Sequence, residues 1–167
     1  MREIPLLYTN LVAVVDDSDH DLVSQYKWYA LTVRGRVTYA VNGDTFMHRL
    51  VMEPTELQHV DHVDHNGLNN QRSNLRYATH QQNLAGCRKR LGASSQYKGV
   101  SWSKQSQKWH AQIRVGDKRI HIGLYDNEEE AASAYDSVAY QHHGEFAYQN
   151  FPKTHKQLTV RSYTDGT

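Results

Sequence analysis

The chain has 167 residues and a net charge of +1, which is long enough for one ordinary domain or two small ones. Cys87 is its only cysteine, so a disulfide framework is excluded and a reducing, cytoplasmic setting is expected. The longest apolar run, residues 11–15, is too short to span a membrane, and no signal peptide precedes it, so we expect a soluble intracellular protein encoded by a phage or bacterium.

The N-terminal part is predicted to be rich in β-strands. Residues 11–15 are typical of a buried strand, and the Asp-rich residues 16–19 indicate a turn. Residues 21–29 fit either a short helix or a loop. The side chains expected to turn inward there are Leu22, Tyr26 and Trp28.

A hairpin is predicted next. Residues 36–41 and 45–52 have the pattern of two strands, and Asn42-Gly43-Asp44 between them is a strong turn signal. His48 lies in the second of these strands, either as a core histidine or packed beneath an active site.

The stretch HVDHVDHNGLNNQRSNLRYATHQQN follows, beginning at His59. It predicts a strand over residues 57–63, a turn at Asn66-Gly67 and a returning strand at residues 76–78. Thr79 and Gln82 have the spacing of a capping box, which places Asn83 just past the first turn of a helix.

One set of side chains in this stretch has the chemistry for phosphodiester hydrolysis. Asp61-His62 is followed 12 residues after the histidine by Asn74 and 21 residues after it by Asn83. Carboxylate and amide oxygens suit a hard cation, and a neutral imidazole can take a proton from water near pH 7. The rival pair Asp64-His65 lacks such partners, because the same counts from its histidine reach Tyr77 and Gly86.

The segment from His48 to Asn83 resembles the HNH homing endonucleases of the phage and intron-encoded type. The matching motifs are His48-Arg49-Leu50-Val51, Asp61-His62, Asn66-Gly67-Leu68-Asn69-Asn70, Ser73-Asn74-Leu75-Arg76 and Asn83. This resemblance implies a ββα-metal core that holds one divalent ion, Mg²⁺ or Mn²⁺.

The same resemblance implies a role for each matched position. Asp61 and Asn83 would be the metal ligands, His62 the general base and Asn74 the residue that orients it. The last position is Asn83 where many members have histidine, a variant also found in the family. The zinc site of the cysteine-rich members is not expected, because the chain has a single cysteine.

The charge is distributed unevenly along the chain. Residues 72–120 carry 11 Lys and Arg against one acidic residue, whereas residues 1–71 have a net charge of −5 and residues 121–167 a net charge of −4. A basic block between acidic flanks is typical of a surface that binds a polyanion, although a solvated face that binds nothing is the alternative.

Residues 87–96 are a linker candidate, in which Arg88, Lys89 and Arg90 are expected to lie along phosphates.

A second module is predicted from residue 97. Three short strands, at residues 98–102, 108–114 and 118–125, alternate apolar with polar or cationic side chains, so one face builds a core and the other is basic. A helix follows from Asn127, with a Glu-rich first turn and Gly144 at its end.

This module resembles the DNA-binding domain of plant ethylene-response transcription factors, also called APETALA-like. The motifs that carry the resemblance are YKGVSW, KWHAQIRV and the run from RIHIGLYDNEEE to QNFP, which together cover about residues 97–152. The resemblance implies a three-stranded sheet that lies in the major groove of double-stranded DNA.

The residues expected to bind DNA come from the sheet, the linker and the nuclease segment. Arg72 and Arg76 are candidate phosphate clamps, with ordinary solvated arginines as the alternative. Trp109 is expected in the core, and Trp102 fits either the core or the interface. The sheet positions are Lys98, Ser101, Trp102, Lys104, Lys108, Gln112, Arg114, Lys118, Arg119 and His121. Ser101-Trp102 and His121 depart from the plant pattern, so base preference does not transfer.

Together these patterns predict an α+β protein with four parts. Residues 1–86 would form the nuclease domain with its core at about residues 55–86, residues 87–96 the linker, residues 97–152 the sheet domain and residues 153–167 a tail. The predicted function is site-specific cleavage of double-stranded DNA, by a monomer on an asymmetric site and without a small-molecule cofactor. A non-cleaving DNA-binding regulator and an RNA-binding protein are the alternatives.

Overall fold

The computed structural model describes residues 1–33, 37–87 and 94–152. The chain divides into two compact units, Met1–Cys87 and Arg88–Thr167. Both units mix helices with small antiparallel sheets, which confirms the α+β class. None of the helices in the described ranges has the length and apolarity needed to cross a bilayer.

The first unit contains three small antiparallel sheets. Its strands pair in chain order: β1 with β2, β3 with β4, β4 with β5, and β6 with β7. The strands are β1 (Arg2–Pro5), β2 (Val12–Val15), β3 (Tyr29–Val33), β4 (Val37–Asn42), β5 (Thr45–Phe46), β6 (His59–His62) and β7 (Leu75–Ala78). The helices are α1 (Asp17–Val23), α2 (Met47–Met52) and α3 (His80–Gly86).

Two secondary-structure predictions in this unit are wrong. The Asp-rich segment predicted as a turn begins helix α1, because Asp17 and Asp19 lie in its first turn, where carboxylates interact favourably with the helix dipole. The strand predicted over residues 45–52 ends at Phe46 and continues as α2. Met47, His48 and Val51 recur at helical spacing and are the buried residues of α2.

The predicted hairpin turn is confirmed. β4 and β5 pair across Gly43, whose φ of +55° lies in the left-handed region that favours glycine. Trp28 is buried as expected and donates from its ring nitrogen to the Val23 carbonyl at 2.8 Å. Tyr26, which was expected to turn inward, is exposed.

A core of aliphatic side chains and Trp28 joins the elements of the first unit. It draws on β1, β2, β4, α1, α2, β6 and β7, so the ribbon of β6 and β7 is packed against the N-terminal strands. The core residues are Ile4, Leu6, Ala13, Val15, Val23, Trp28, Ala40, Met47, Val51, Val60 and Leu75.

Strand β2 also contacts the loop between β6 and β7. The Val14 amide donates to the Leu68 carbonyl at 2.8 Å, and the Asn70 amide donates to the Val14 carbonyl at 2.7 Å. These bonds give Asn70 a fixed place, and it is completely buried.

The second unit is a three-stranded antiparallel sheet packed on one helix. Its strands are β8 (Val100–Ser103), β9 (Lys108–Val115) and β10 (Lys118–Tyr125), with β9 in the centre, and the helix is α4 (Glu128–His143). The Asn127 side chain caps α4 by accepting from the Glu129 and Glu130 amides. Gly144 follows the helix with φ +54°. The buried contacts between helix and sheet involve Val100, Ala111, Ile113, Ala131, Ala132, Tyr135 and Ala139.

Candidate functional site

Strands β6 and β7 form a two-stranded ribbon that brings Asp61 and His62 to its end. Asp61 lies opposite Arg76 and His62 opposite Leu75 in the antiparallel register. Asp61 and His62 are both buried. A carboxylate and an imidazole are therefore held next to each other in a partly desolvated place.

Asp61 is paired with Arg76 across the ribbon. The Arg76 Nη2 and Nε atoms lie 2.7 Å and 3.0 Å from the Asp61 Oδ2 atom, and the two side chains are only 17% and 10% exposed. The guanidinium of Arg76 is thus bound to the predicted metal ligand rather than solvated, and its role as a phosphate clamp stays a prediction.

His62 is oriented by Asn70. The His62 Nε2 atom lies 3.3 Å from the Asn70 Oδ1 atom. Because an amide oxygen only accepts hydrogen bonds, this contact places the ring proton on Nε2 and leaves the lone pair of Nδ1 to accept a proton. Burial lowers the pKa of His62, against the opposing effects of the Asn70 hydrogen bond and of Asp64 and Asp61, and so favours the neutral ring.

Asn74, predicted to orient His62, has other partners. Its Nδ2 atom donates to Asp64 Oδ1 at 2.9 Å and to the Asn69 carbonyl at 2.8 Å, and its Oδ1 atom accepts from the Asp64 amide at 3.0 Å. Asn74 therefore closes the loop between β6 and β7, and Asn70 is the amide that contacts the imidazole. The role of Asn74 in orienting His62 stays a prediction.

Asp64 of the rival pair stabilises the same loop. Its carboxylate accepts from the Asn66 amide and from the side chains of Asn69 and Asn74, at 2.8 to 2.9 Å. Burial opposes ionisation, but these three hydrogen bonds together hold the pKa of the carboxyl below its usual value. This carboxylate is occupied within the loop by three hydrogen bonds.

An aromatic cluster packs behind His62. The His48 ring meets the His62 ring edge to face, with centroids 5.0 Å apart, and Tyr39 lies 5.6 to 5.8 Å from both rings. Burial lowers the pKa of His48 to about 3, with smaller contributions from His62 and Arg49. The buried His48 Nδ1 atom has no hydrogen-bond partner among the described residues.

Asn83 lies in α3, which packs against β6 and β7. The predicted capping box is confirmed: Thr79 accepts from the Gln82 amide at 3.2 Å, and the Gln82 side chain accepts from the Thr79 amide at 2.8 Å. The Asn83 amide donates to the Thr79 carbonyl, which fixes the residue at the start of the helix.

Arg72, the other predicted phosphate clamp, has partners within the protein, and the clamp role stays a prediction. Its Nη2 and Nε atoms bind the buried carboxylate of Asp19 at 2.7 to 3.1 Å, and Asp16 accepts from the Arg72 amide at 2.8 Å. Arg72 therefore ties α1 to the loop that precedes β7.

In the second unit, the sheet face opposite the helix carries polar and cationic side chains. Arg114 lies opposite Arg119, Gln112 opposite His121, and Ser101 opposite His110 in the strand registers. Arg114, Lys118, Arg119 and His121 are exposed, as is Lys104 in the turn before β9. The predicted alternation of core and basic faces is confirmed.

Several of the predicted contact residues in this unit have partners within the protein. Lys108 forms an exposed ion pair with Asp126 at 3.1 Å, and the Lys98 ammonium lies 5.5 Å from the centre of the Tyr148 ring. Trp102 is 37% exposed and packs edge to face on Trp109, with centroids 5.1 Å apart. Trp102 therefore presents part of its ring to solvent.

The sequence analysis does not predict the roles of two residues. It includes Asn70 only as part of a motif, and it leaves His110 out of the residues expected to contact DNA. The His110 Nε2 atom lies 2.7 Å from the His121 Nδ1 atom on the sheet face, because a bulge after His121 shifts β10 against β9. A polar residue on an outward strand position was the available signal. Arg88, Lys89 and Arg90 lie outside the described residues.

Comparison with known proteins assigns both parts of the chain. An uncharacterised HNH endonuclease of Acanthamoeba polyphaga mimivirus is 36% identical over 139 residues, which cover 77% of this chain and 69% of that protein. The chain belongs to the HNH endonuclease family. Its residues 95–145 match the AP2 domain.

Plant proteins are similar over the second part alone. An ethylene-responsive transcription factor of Arabidopsis thaliana is 42% identical over 59 residues, 34% of this chain and 14% of that protein. An AP2-like ethylene-responsive transcription factor of the same plant is 35% identical over 83 residues, 46% of this chain and 15% of its own length. The chain thus spans about a seventh of these plant proteins.

Proposed function

We propose that the chain is a DNA endonuclease that hydrolyses phosphodiester bonds of double-stranded DNA, with His62 as the general base. The observation that carries the proposal is the end of β6, where the buried Asp61 carboxylate precedes an imidazole whose Nδ1 lone pair is left to accept a proton. Membership of the HNH endonuclease family supports the same reaction.

The donor set fits a hard divalent cation, Mg²⁺ or Mn²⁺. Asp61 offers a carboxylate oxygen and Asn83 an amide oxygen, and Mg²⁺ commonly takes one or two such protein ligands while keeping water or phosphate oxygens in its other positions. No group of three or more His, Cys, Asp and Glu side chains suited to a metal occurs in the described ranges. Such a group is not required by a ligand pair that contains an amide.

The chain's own residues would act on the attacking water. The Asn70 side chain holds the Nε2–H side of the His62 ring, so that Nδ1 takes the proton as the water oxygen attacks phosphorus in line. The aromatic cluster of Tyr39 and His48 prevents the ring from turning. The metal, when bound, would neutralise the developing charge on the phosphate and the departing 3′ oxygen.

The AP2 domain would supply DNA affinity and site selection. Its outward sheet face carries Arg114, Arg119 and His121, and Lys118 is exposed at the start of β10. The major groove admits a β-sheet edge or ribbon as well as a helix. We propose a site-specific enzyme of the homing type, with a ββα-metal core at about residues 55–86 of a nuclease domain, a linker at 87–96 and a DNA-binding domain at 97–152. It would act as a monomer on an asymmetric site.

A non-cleaving DNA-binding regulator is the second candidate. One observation favours it: the Asp61 carboxylate is bound by Arg76, so a cation already lies at the predicted metal ligand. The complete set of Asp61, His62 and Asn83 favours the enzyme.

Incubation with supercoiled plasmid separates these two functions. The full chain with Mg²⁺ or Mn²⁺ should convert the plasmid to nicked or linear DNA, and EDTA should prevent the conversion. Retarded but uncut plasmid under all metal conditions would refute the nuclease proposal and support the regulator.

A further inference from the structure

The ion pair between Asp61 and Arg76 suggests how metal binding is controlled. The Arg76 Nε and Nη2 atoms both contact the Asp61 Oδ2 atom, within a pair of side chains that are largely shielded from water. Charges in such a place interact more strongly than they do in bulk solvent. The carboxylate that would hold the metal is therefore neutralised in the free protein.

A metal ion and Arg76 would compete for this carboxylate. Placing a divalent ion on Asp61 brings its charge close to the guanidinium charge, and like charges at such a separation repel one another. In the free protein, Arg76 therefore weakens the affinity of Asp61 for a cation.

A DNA phosphate offers Arg76 an alternative partner. The guanidinium presents five donors in a planar fork that matches phosphate and carboxylate groups equally well. Arg76 lies directly opposite Asp61 in the ribbon, so a phosphate close enough to contact a metal on Asp61 also comes within reach of Arg76.

We propose that Arg76 makes metal binding conditional on DNA. In the free protein it holds Asp61, and when a duplex arrives it transfers to a backbone phosphate and releases the carboxylate to the metal. Arg76 is thus a positioning residue that acts through Asp61. This inference rests on the proposed nuclease function and adds an order to its binding steps.

The test measures Mn²⁺ affinity of the full chain without DNA, by electron paramagnetic resonance titration. Arg76→Gln should lower the Mn²⁺ dissociation constant roughly tenfold, because it removes the competing charge. Arg76→Lys keeps the charge and should stay near the native value. Arg2→Gln removes an exposed arginine paired with Asp17 and serves as the matched control.

The site of the added affinity is checked with Asp61. Combining Asp61→Asn with Arg76→Gln should abolish the gain. If Arg76→Gln is unfolded without metal, because it leaves a buried carboxylate uncompensated, Mn²⁺ should refold it, whereas Mn²⁺ should leave the stability of the double variant unchanged. Equal or weaker Mn²⁺ affinity in Arg76→Gln, or no refolding, would overturn the proposal.

Duplex binding in EDTA tests the transfer to phosphate. Arg76→Gln should reduce the slope of log affinity against log salt by about one, whereas Arg2→Gln should leave it unchanged. An unchanged slope in Arg76→Gln would exclude the transfer. If the native chain cuts plasmid with Mn²⁺ but Arg76 variants shift neither measurement, this inference alone fails. If the native chain neither binds Mn²⁺ nor cuts, both proposals fail.

Discussion

The contact between His62 and Asn70 assigns different chemistry to the two nitrogens of one ring. The amide oxygen binds the Nε2–H group, so Nδ1 would be the base in the proposed reaction. The neighbouring pair Asp64-His65 has the same residue types in the same order, but its carboxylate is occupied in the loop.

Substitution of each histidine separates the two pairs. His62→Ala should reduce plasmid cleavage by about 10²-fold or more, the usual contribution of a general base, while duplex affinity stays within a few-fold. His65→Ala should retain most of the activity. Gel-based cleavage rates and mobility shifts measure both quantities, and an active His62→Ala variant would remove this residue from the base role.

His48 has an energetic cost that can be measured. Its Nδ1 atom is buried without a described partner, and such a group costs about 1–3 kcal/mol. His48→Phe keeps a ring in the cluster and removes this group, so it should raise the free energy of unfolding by about 1 kcal/mol. Denaturant unfolding of both chains at pH 7 tests this, and a clearly less stable variant would contradict it.

The same variant should change how stability depends on pH. The pKa of His48 is about 3 in the folded chain, against an ordinary value of 6.5, so only the unfolded state takes up this proton between those values. The native chain should therefore lose stability as pH falls below 6.5. On unfolding in this pH range, His48→Phe should take up about one proton fewer than the native chain. The slope of its unfolding free energy against pH should therefore be shallower by about 1.4 kcal/mol per pH unit.

At the scale of secondary-structure elements, the packing of β8 on α4 depends on Gly99. Its φ is +77°, and an added Cβ atom would lie 1.9 Å from Cδ2 of Tyr135. Gly116, in the turn between β9 and β10, has φ +60° but nothing within 4 Å of an added Cβ atom. The two glycines share a backbone requirement and differ in packing.

Alanine at these two positions separates backbone strain from steric clash. Gly116→Ala should cost about 1 kcal/mol, because it only places a side chain at positive φ. Gly99→Ala should cost several times more, since Tyr135 must leave its buried place beside Ile113 and Ala139. Thermal unfolding followed by circular dichroism compares them, and equal losses would show that Tyr135 is not tightly held.

Much of the element order could be predicted from the sequence. The capping box at Thr79 and the hairpin turn at Gly43 are local signals, and both are confirmed. Residues 45–52 were mistaken for a strand because a short apolar segment fits both periods. Burial of His48 and Val51 against the rest of the unit decides for a helix.

The site could be predicted in its residue types but not in its contacts. The spacing from His62 proposes Asp61, Asn74 and Asn83 as candidates without any coordinates. The bonds of His62 to Asn70 and of Asp61 to Arg76 follow from strand register and from the loop fixed by β2. Contacts of this kind depend on tertiary packing and have no local sequence pattern that predicts them.

At the scale of the whole molecule, the charge is concentrated where DNA is expected. The AP2 domain places exposed cations on one sheet face, while its helix begins with three glutamates. Each lysine or arginine that neutralises a phosphate releases counterions, so affinity must depend steeply on salt.

Arg119→Gln tests this face directly. It should weaken duplex binding at every sequence and reduce the slope of log affinity against log salt by about one, or remove preference for one base if Arg119 contacts guanine. Arg2→Gln changes the same net charge outside the AP2 domain and should have little effect. A native chain whose affinity does not vary with salt would contradict the role of the basic face.

The N-terminal strands and α1 determine how much of the first unit must be kept to hold the candidate site together. Asp16 and Asp19 bind Gln71 and Arg72, and Val14 fixes the loop that carries Asn70. A fragment limited to the segment from His48 to Asn83 would lack the residues that fix the loop beside His62. Fusing the proposed nuclease to another protein would therefore require the whole unit from Met1 to Cys87.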